Sequence, residues 1–136
     1  MSTTTDANKA LVRRFVQEIF AEGRPEAVDE LVAADFVSHT FGITDDGIAK
    51  LKAASQRVHA SLTNVRFDIE DMVAEDNRVA VRLTASGTAT ADFMGMPAAG
   101  KSYRIGEMHF FRVREGKVAE HWHQYDAAGQ MKQLSS

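Results

Sequence analysis

Residues 103–126 read YRIGEMHFFRVREGKVAEHWHQYD and hold three of the chain's five histidines and its only tryptophan. Two runs rich in Val, Phe, Tyr and Trp flank the tripeptide Arg114-Glu115-Gly116. Gly at the last loop position favours a three-residue turn closed by a residue with positive φ. The pattern therefore predicts a β-hairpin in which Val113 pairs with Lys117.

This pairing places ionisable side chains together, because side chains alternate between the two faces of a strand. His109 would lie opposite His121, and Glu107 opposite His123. The other face would carry Met108, Phe110, Val118, Glu120 and Trp122. A two-residue loop would shift the register by one and separate His109 from His123, so this prediction depends on the turn. A polar face and an apolar face together indicate a sheet wrapped around a ligand pocket, with its outer face covered by a partner.

The upstream chain predicts helices followed by strands. Apolar residues at helical spacing indicate one helix from about Asp6 to Phe20, a second from Pro25 to about Ala34, and a third ending near Leu62. After Asn64 the period changes to two, which is typical of strands. Three helices and four long antiparallel strands predict an α+β domain, with the helices packed on one face of a bent, cone-shaped sheet. Loops around Phe41 and residues 93–96 would close the mouth of the pocket.

Composition limits the class of protein. The chain has 136 residues, a net charge of −3 and no cysteine. We expect a single domain over residues 1–136, with residues 1–6 disordered, and a cytoplasmic location. Scattered basic residues and the lack of a long apolar run argue against nucleic acid and membranes as partners. Without cysteine there is no thiolate nucleophile and no Cys-ligated metal.

His109 and His123 are the strongest candidates for chemistry, since imidazole exchanges protons near neutral pH. Glu107 could orient His123, although a carboxylate at this place could also reach solvent. His39, His121 and Tyr125 are candidates for substrate binding, with His121 nearer the rim. The structural alternative for each histidine is an ordinary hydrogen-bonded strand or loop residue. His59 is predicted to be solvated.

The H-W-H sequence has a second interpretation as part of a metal site. Two histidines at i and i+2 on a strand, with a third across the hairpin, can supply three nitrogen ligands. Glu107 alone would be left to complete the shell, so we predict no metal and no cofactor.

Apolar residues fall into an inner and an outer group. Phe20, Phe41, Phe93 and Met96 could line a pocket for a ring-shaped small molecule, although core packing is the simpler explanation for several of them. Trp122, Phe110 and Met108 on the outer face would form a large exposed patch, which predicts a homodimer through the sheet.

Four segments resemble one known family. They are NKALVRRFVQEIFAEG, DELVAADFVSHT, RVAVRLTASGTATADFMGMPAAGKSY and FFRVREGKVAEHWHQYDAAGQMKQL. Together they are similar to the SnoaL-like polyketide cyclases, or ester cyclases, of the nuclear transport factor 2-like superfamily. The resemblance implies a conical pocket, dimerisation through the sheet, and ring closure by an intramolecular aldol reaction without metal or cofactor.

The resemblance also implies roles for particular residues. The family's acid/base is an aspartate after the Trp of the EHW motif, where this chain has His123. The family's strand histidine corresponds to His109, and a polar residue after the DFV segment corresponds to about His39. A histidine that the family often carries after GT is replaced by Ala89, which favours a different or more apolar ligand.

The first hypothesis is therefore a cyclase, of lyase or isomerase type, that performs cofactor-free aldol or enolisation chemistry on a polyketide-like or polycyclic carbonyl compound. His123 would take the proton, His109 would stabilise or reprotonate the oxygen, and Glu107 would orient the base. The alternatives are water activation for epoxide opening or dehydration, and a binding protein without catalysis.

Overall fold

The computed structural model describes residues 3–136, which form a five-stranded sheet with helices packed against it. The helices are α1 (Thr3–Arg14), which continues as a π-helix over Phe15–Ala21, α2 (Pro25–Leu31), α3 (Gly47–Ser61) and α4 (Ala127–Ser135). The strands are β1 (Val32–Ser38), β2 (Leu62–Glu75), β3 (Arg78–Ala89), β4 (Ser102–Arg114) and β5 (Lys117–Tyr125). Their order in the sheet is β1-β5-β4-β3-β2. The predicted α+β architecture is confirmed.

Three features differ from the sequence prediction. Residues 3–6 belong to α1, whereas we predicted disorder over residues 1–6; residues 1 and 2 lie outside the described part. The second helix was predicted to run to about Ala34, but the chain is a strand from Val32, where β1 begins and pairs in parallel with β5. The helix α4 was not predicted. Asp126 caps it by accepting a hydrogen bond from the Gly129 N–H, at 2.9 Å.

The hairpin loop between β4 and β5 has two residues, so the predicted three-residue loop is wrong. Arg114 pairs with Lys117, and both Glu115 and Gly116 have positive φ angles, 52° and 73°. Two consecutive residues with positive φ make a type I′ turn, whose twist matches that of the flanking strands. Glu115 thus adopts a conformation that is uncommon for a residue with a side chain.

A β-bulge then changes the register again. Val113 pairs with Val118, but Arg112 pairs with Glu120, so Ala119 is an extra residue on β5. Beyond the bulge the register differs from the predicted one by two residues, and a shift of two keeps those side chains on their predicted face. Before the bulge, Val118 is wrongly predicted: it lies opposite Val113 and is buried in the core, not on the outer face. His109 therefore lies opposite His123, and Glu107 opposite Tyr125.

The core lies between the helices and the inner face of the sheet. Alternate residues of β3 and β4 are buried there, among them Val79, Val81, Leu83, Ala85, Ile105 and Phe111. The π-helical segment contributes buried Phe15, Val16 and Ile19 to the same core. No helix among residues 3–136 is long and apolar enough to span a membrane.

Candidate active site

A cavity of about 200 Å³ lies between the inner face of the sheet and the helices. Ile19 and Phe20 of the π-helical segment form part of its floor, which is consistent with the frequent occurrence of π-turns at functional sites. The remaining lining residues are Phe41, Leu51, Ala54, Ser55, Val58, His59, Leu62, Phe67, Phe93, Met94, Tyr103, Glu107, His109, His123, Tyr125 and Gln130. The loops carrying Phe41 and Phe93 thus contribute to the cavity, as predicted.

His109 and His123 form a stacked pair in the cavity wall. They are direct cross-strand partners, with ring centroids 4.6 Å apart and ring planes within 4° of parallel. Both side chains are buried. Because adjacent strands hold residues on one face at this separation, the alternation of β4 and β5 is sufficient to bring the two rings together.

The hydrogen bonds of His109 use both of its ring nitrogens. Nε2 lies 2.7 Å from Glu107 Oε1, and Nδ1 lies 2.9 Å from His121 Nε2. The expectation that Glu107 orients His123 is therefore wrong, since this carboxylate contacts the imidazole on its own strand. The opposite nitrogen of His121, Nδ1, lies 3.0 Å from the Ser38 hydroxyl.

His123 has no hydrogen bond at either ring nitrogen among the described residues, and its Nδ1 atom is buried. Burial lowers its pKa from 6.5 to about 4. The ring is therefore neutral near pH 7, and a nitrogen lone pair is available. Its backbone is held on both sides by the Thr40 hydroxyl, which accepts from the His123 N–H at 2.7 Å and donates to its carbonyl oxygen at 2.9 Å.

Tyr103 lines the cavity and was not predicted to do so from the sequence. Burial, with a contribution from Glu107, raises its pKa to about 12, so the phenol stays protonated. Gln130 of α4 hydrogen-bonds to its side chain. Tyr103, Glu107 and His109 lie at alternate positions of β4 and therefore on one face of the strand, and this alternation could have identified Tyr103 from the sequence.

Three predicted positions need correction. His39 does not line the cavity: it stacks on Trp122, with ring centroids 4.8 Å apart, and its Nε2 lies 2.5 Å from Glu120. His121, expected near the rim, is fully buried behind the cavity wall. His59, expected in solvent, lines the cavity and hydrogen-bonds to the Phe20 carbonyl at 3.0 Å.

Two further candidates have different outcomes. Met96 packs against the core and does not line the cavity, where its neighbour Met94 lies instead. Tyr125 lines the cavity as predicted and stacks on His123, with ring centroids 5.4 Å apart.

The three clustered histidines are also the residues that could hold a metal ion. Donor nitrogens of His109, His121 and His123 all lie within 4.8 Å of one another. A tetrahedral zinc ion with Zn–N bonds of about 2.0–2.1 Å needs ligand nitrogens about 3.3 Å apart. The facing nitrogens of His109 and His121 instead hydrogen-bond to each other, and the rings of His109 and His123 are parallel rather than convergent. The arrangement is better suited to proton exchange than to coordination.

Several solved structures share this fold. TsrD from Streptomyces laurentii has a TM-score of 0.86 and 24% identity, over 98% of this chain and 97% of that chain. IdmH from Streptomyces antibioticus has a TM-score of 0.79 and 26% identity, over 99% of this chain and 100% of that chain. A protein from Catenulispora acidiphila, described as having a ketosteroid isomerase-like fold, has a TM-score of 0.74 and 18% identity, over 91% of each chain. The predicted nuclear transport factor 2-like fold is confirmed.

Sequence comparison identifies the family. No curated protein matches the chain. The family described as SnoaL-like polyketide cyclase matches residues 10–134, which include the end of α1, nearly all of α4, every element between them and all the residues that line the cavity. The chain is thus a member of the SnoaL-like polyketide cyclase family.

Proposed function

We propose that this protein catalyses cofactor-free acid/base chemistry on a neutral, ring-bearing carbonyl compound, by intramolecular aldol closure or a related enolisation. The observation that carries the proposal is the His123 imidazole, which lies in the wall of a largely apolar cavity and has no hydrogen-bond partner among the described residues. A buried base without a partner is costly to a fold, and such groups concentrate at functional sites.

The first step assigned to this site is proton abstraction. A lone pair of neutral His123 takes a proton from the carbon next to a substrate carbonyl, giving an imidazolium and an enolate. The Tyr103 hydroxyl, which stays protonated, donates a hydrogen bond to the enolate oxygen. The enolate carbon then attacks a second carbonyl of the same molecule, and the imidazolium returns its proton to the alkoxide. No proton is gained or lost over the cycle.

Glu107 has a different role from the one that the sequence suggested. Its carboxylate is held by His109 and lines the same cavity as His123. A negative charge near His123 favours the imidazolium that forms when the proton is taken. Glu107 therefore acts as a counter-charge to His123 and not as its hydrogen-bond partner.

The cavity also favours a class of substrate. None of the described residues that line it is a lysine or arginine, whereas Glu107 contributes a carboxylate. Aromatic and aliphatic side chains make up most of the wall. This lining suits a neutral, apolar ring system better than an anion.

The test measures removal of a proton from the carbon next to a carbonyl group. Exchange of the α-protons of 2-tetralone, a neutral bicyclic ketone, is measured in D₂O by mass spectrometry. We expect exchange above the buffer rate with wild type, and a loss of roughly 10²–10⁴ in the His123→Ala variant. His39→Ala is the matched control, since His39 lies outside the cavity. Equal rates for wild type and His123→Ala, with both folded, would reject the assignment.

Water activation is the second candidate, because Glu107 makes no hydrogen bond other than that to His109 among the described residues. A carboxylate with a free oxygen can orient a water molecule toward an epoxide. Indene oxide tests this alternative: hydrolysis that depends on Glu107 but not on His123 would favour it over enolisation. Tight binding of both probes with no turnover would favour a binding protein.

We also propose a homodimer through the outer face of the sheet. Met108 and Phe110 are exposed there, by 61% and 40%. Trp122 packs edge-on against Phe110, with ring centroids 5.7 Å apart. Val73 extends the patch and is 61% exposed. Large side chains exposed together on one sheet face are typical of an interface.

A further inference from the structure

Four side chains, two in the cavity wall and two behind it, form one unbranched hydrogen-bonded chain. Ser38 Oγ lies 3.0 Å from His121 Nδ1, His121 Nε2 lies 2.9 Å from His109 Nδ1, and His109 Nε2 lies 2.7 Å from Glu107 Oε1. The chain links β1, β5 and β4 and ends at the cavity, which Glu107 lines. Each imidazole nitrogen in it has one partner.

With Glu107 as a carboxylate and His109 neutral, the chemistry of these groups allows one direction of donation. A carboxylate only accepts, so His109 carries its proton on Nε2 and accepts at Nδ1. His121 must then donate from Nε2, which leaves its Nδ1 as an acceptor. Ser38 completes the chain by donating its hydroxyl hydrogen to that nitrogen. Both imidazoles are neutral in this arrangement, and every ring nitrogen is satisfied.

Burial favours the neutral forms. Ser38 and His121 are both fully inaccessible to solvent. Burial, with smaller contributions from the neighbouring histidines, lowers the pKa of His121 well below 6.5. A charged His121 is therefore disfavoured. A reversed chain needs a cationic His109 or a neutral Glu107, and it makes His121 donate to Ser38. The buried Ser38 hydroxyl already accepts from the Phe41 N–H, so its own hydrogen would then have no acceptor among the described residues. Ser38 also accepts from the Phe41 N–H at 3.3 Å, which ties the loop at the mouth of the cavity to the end of the chain.

We propose that Ser38 and His121 are positioning residues, which hold His109 neutral and Glu107 as a carboxylate beside His123. The catalytic consequence rests on the proposed function, in which His123 becomes an imidazolium. A cationic His109, stacked 4.6 Å from it, would oppose that charge, whereas a neutral His109 with an anionic Glu107 favours it. The chain thereby supplies the electrostatic surroundings that the base requires, although Ser38 and His121 do not line the cavity.

The first experiment observes the chain without any substrate. Protein labelled with ¹⁵N in the histidine rings is studied at pH 7 by long-range ¹H–¹⁵N correlation spectra, which distinguish the two neutral tautomers and the imidazolium. We expect His109 and His121 to be neutral with their protons on Nε2. A proton on Nδ1 of either ring, or a charged form of either ring, would overturn the proposal.

The second experiment uses variants of the two ends of the chain. Ser38→Ala removes the last donor, and we expect His121 to become a mixture of tautomers. Ser38→Thr keeps a hydroxyl and should restore the wild-type spectrum. Glu107→Gln provides a second route, because its amide can donate to His109 Nε2 and should allow the Nδ1–H tautomer there.

Exchange of the α-protons of 2-tetralone then separates a structural from a positioning role. Ser38→Ala should lower the rate about tenfold, the factor that one neutral hydrogen bond is worth. It should also move the acidic limb of the pH profile to higher pH, because His109 then takes a second proton more readily and its positive charge opposes proton uptake by His123. Ser86→Ala, a serine on β3, is the matched control. If the tautomers are as expected but Ser38→Ala keeps the wild-type rate and pH profile, the positioning role is overturned. A normal rate in His123→Ala would instead reject the proposed function, and leave the tautomer result standing.

Discussion

His109 and His123 lie face to face on neighbouring strands, and their hydrogen bonding is opposite in kind. His109 has a partner at each ring nitrogen, whereas His123 has none at either among the described residues. A ring with both nitrogens engaged cannot take a proton from a substrate directly, while a ring with a free lone pair can. His109 is therefore the supporting residue of the pair, and His123 is the base.

The first prediction concerns which side chains can replace His123. The family resemblance implies an aspartate as the acid/base at this position, and a carboxylate can also accept a proton from carbon. We expect His123→Asp to exchange the α-protons of 2-tetralone at least about tenfold faster than His123→Asn, whose amide cannot accept one. Equal rates for the two folded variants would contradict a proton-transfer role at this position.

The second prediction concerns stability and pH. The pKa of His123 is lowered by burial from 6.5 to about 4, and that of His121 is lowered in the same direction. Between these values the unfolded chain binds more protons than the folded one, so the free energy of unfolding falls as pH falls from about 6.5 toward 4. Thermal melts at half-unit pH intervals measure this slope.

A variant separates this effect from that of the carboxylates, whose contribution is lost at lower pH. His123→Gln should flatten the slope between pH 6.5 and 5, whereas Gln124→Ala, which removes an exposed side chain of β5 that does not titrate, should not. A melting temperature that is constant from pH 6.5 to 5 in wild type would contradict the burial of neutral imidazoles.

The third prediction concerns the charge of the substrate. Because Glu107 lines the cavity and none of the described lining residues is a lysine or arginine, a negatively charged ligand meets repulsion without compensation. We expect 6-carboxy-2-tetralone to have at least a tenfold higher KM than 2-tetralone. Glu107→Gln should lower the ratio of the KM for 6-carboxy-2-tetralone to the KM for 2-tetralone. A carboxylate analogue that binds as well as the neutral ketone would show that the lining does not select by charge.

The fourth prediction concerns assembly. Met108→Glu places a charge in the middle of the outer patch, where a second copy would have to bury it. We expect wild type to sediment as a dimer at micromolar concentration, and Met108→Glu to sediment as a folded monomer. Met131→Glu, at an exposed position on α4, is the control and should remain dimeric. A monomeric wild type would reject the interface.

Sequence alone determined the face on which most side chains of β4 and β5 lie, and Val118 is the exception because the bulge separates it from the rest of β5. Alternation is a local property of an extended strand, so Glu107, His109 and His123 could be placed on the inner face without knowledge of their partners. The error in the loop did not affect this result, because the two-residue turn and the bulge at Ala119 together shift the register by two residues. The first three helices and the cavity loops were likewise indicated by local patterns.

The tertiary structure decided the partners. Whether Glu107 meets His109 or His123 depends on a turn and a bulge whose conformations are set by the packing of the whole sheet. The burial of His121 and its bond to Ser38 require the parallel pairing of β1 with β5, which joins residues 83 apart in the chain. Hydrogen bonds between distant side chains depend on distances that no local pattern carries. The sequence therefore located the polar wall of the cavity, and only the folded chain determined which imidazole is left free to act.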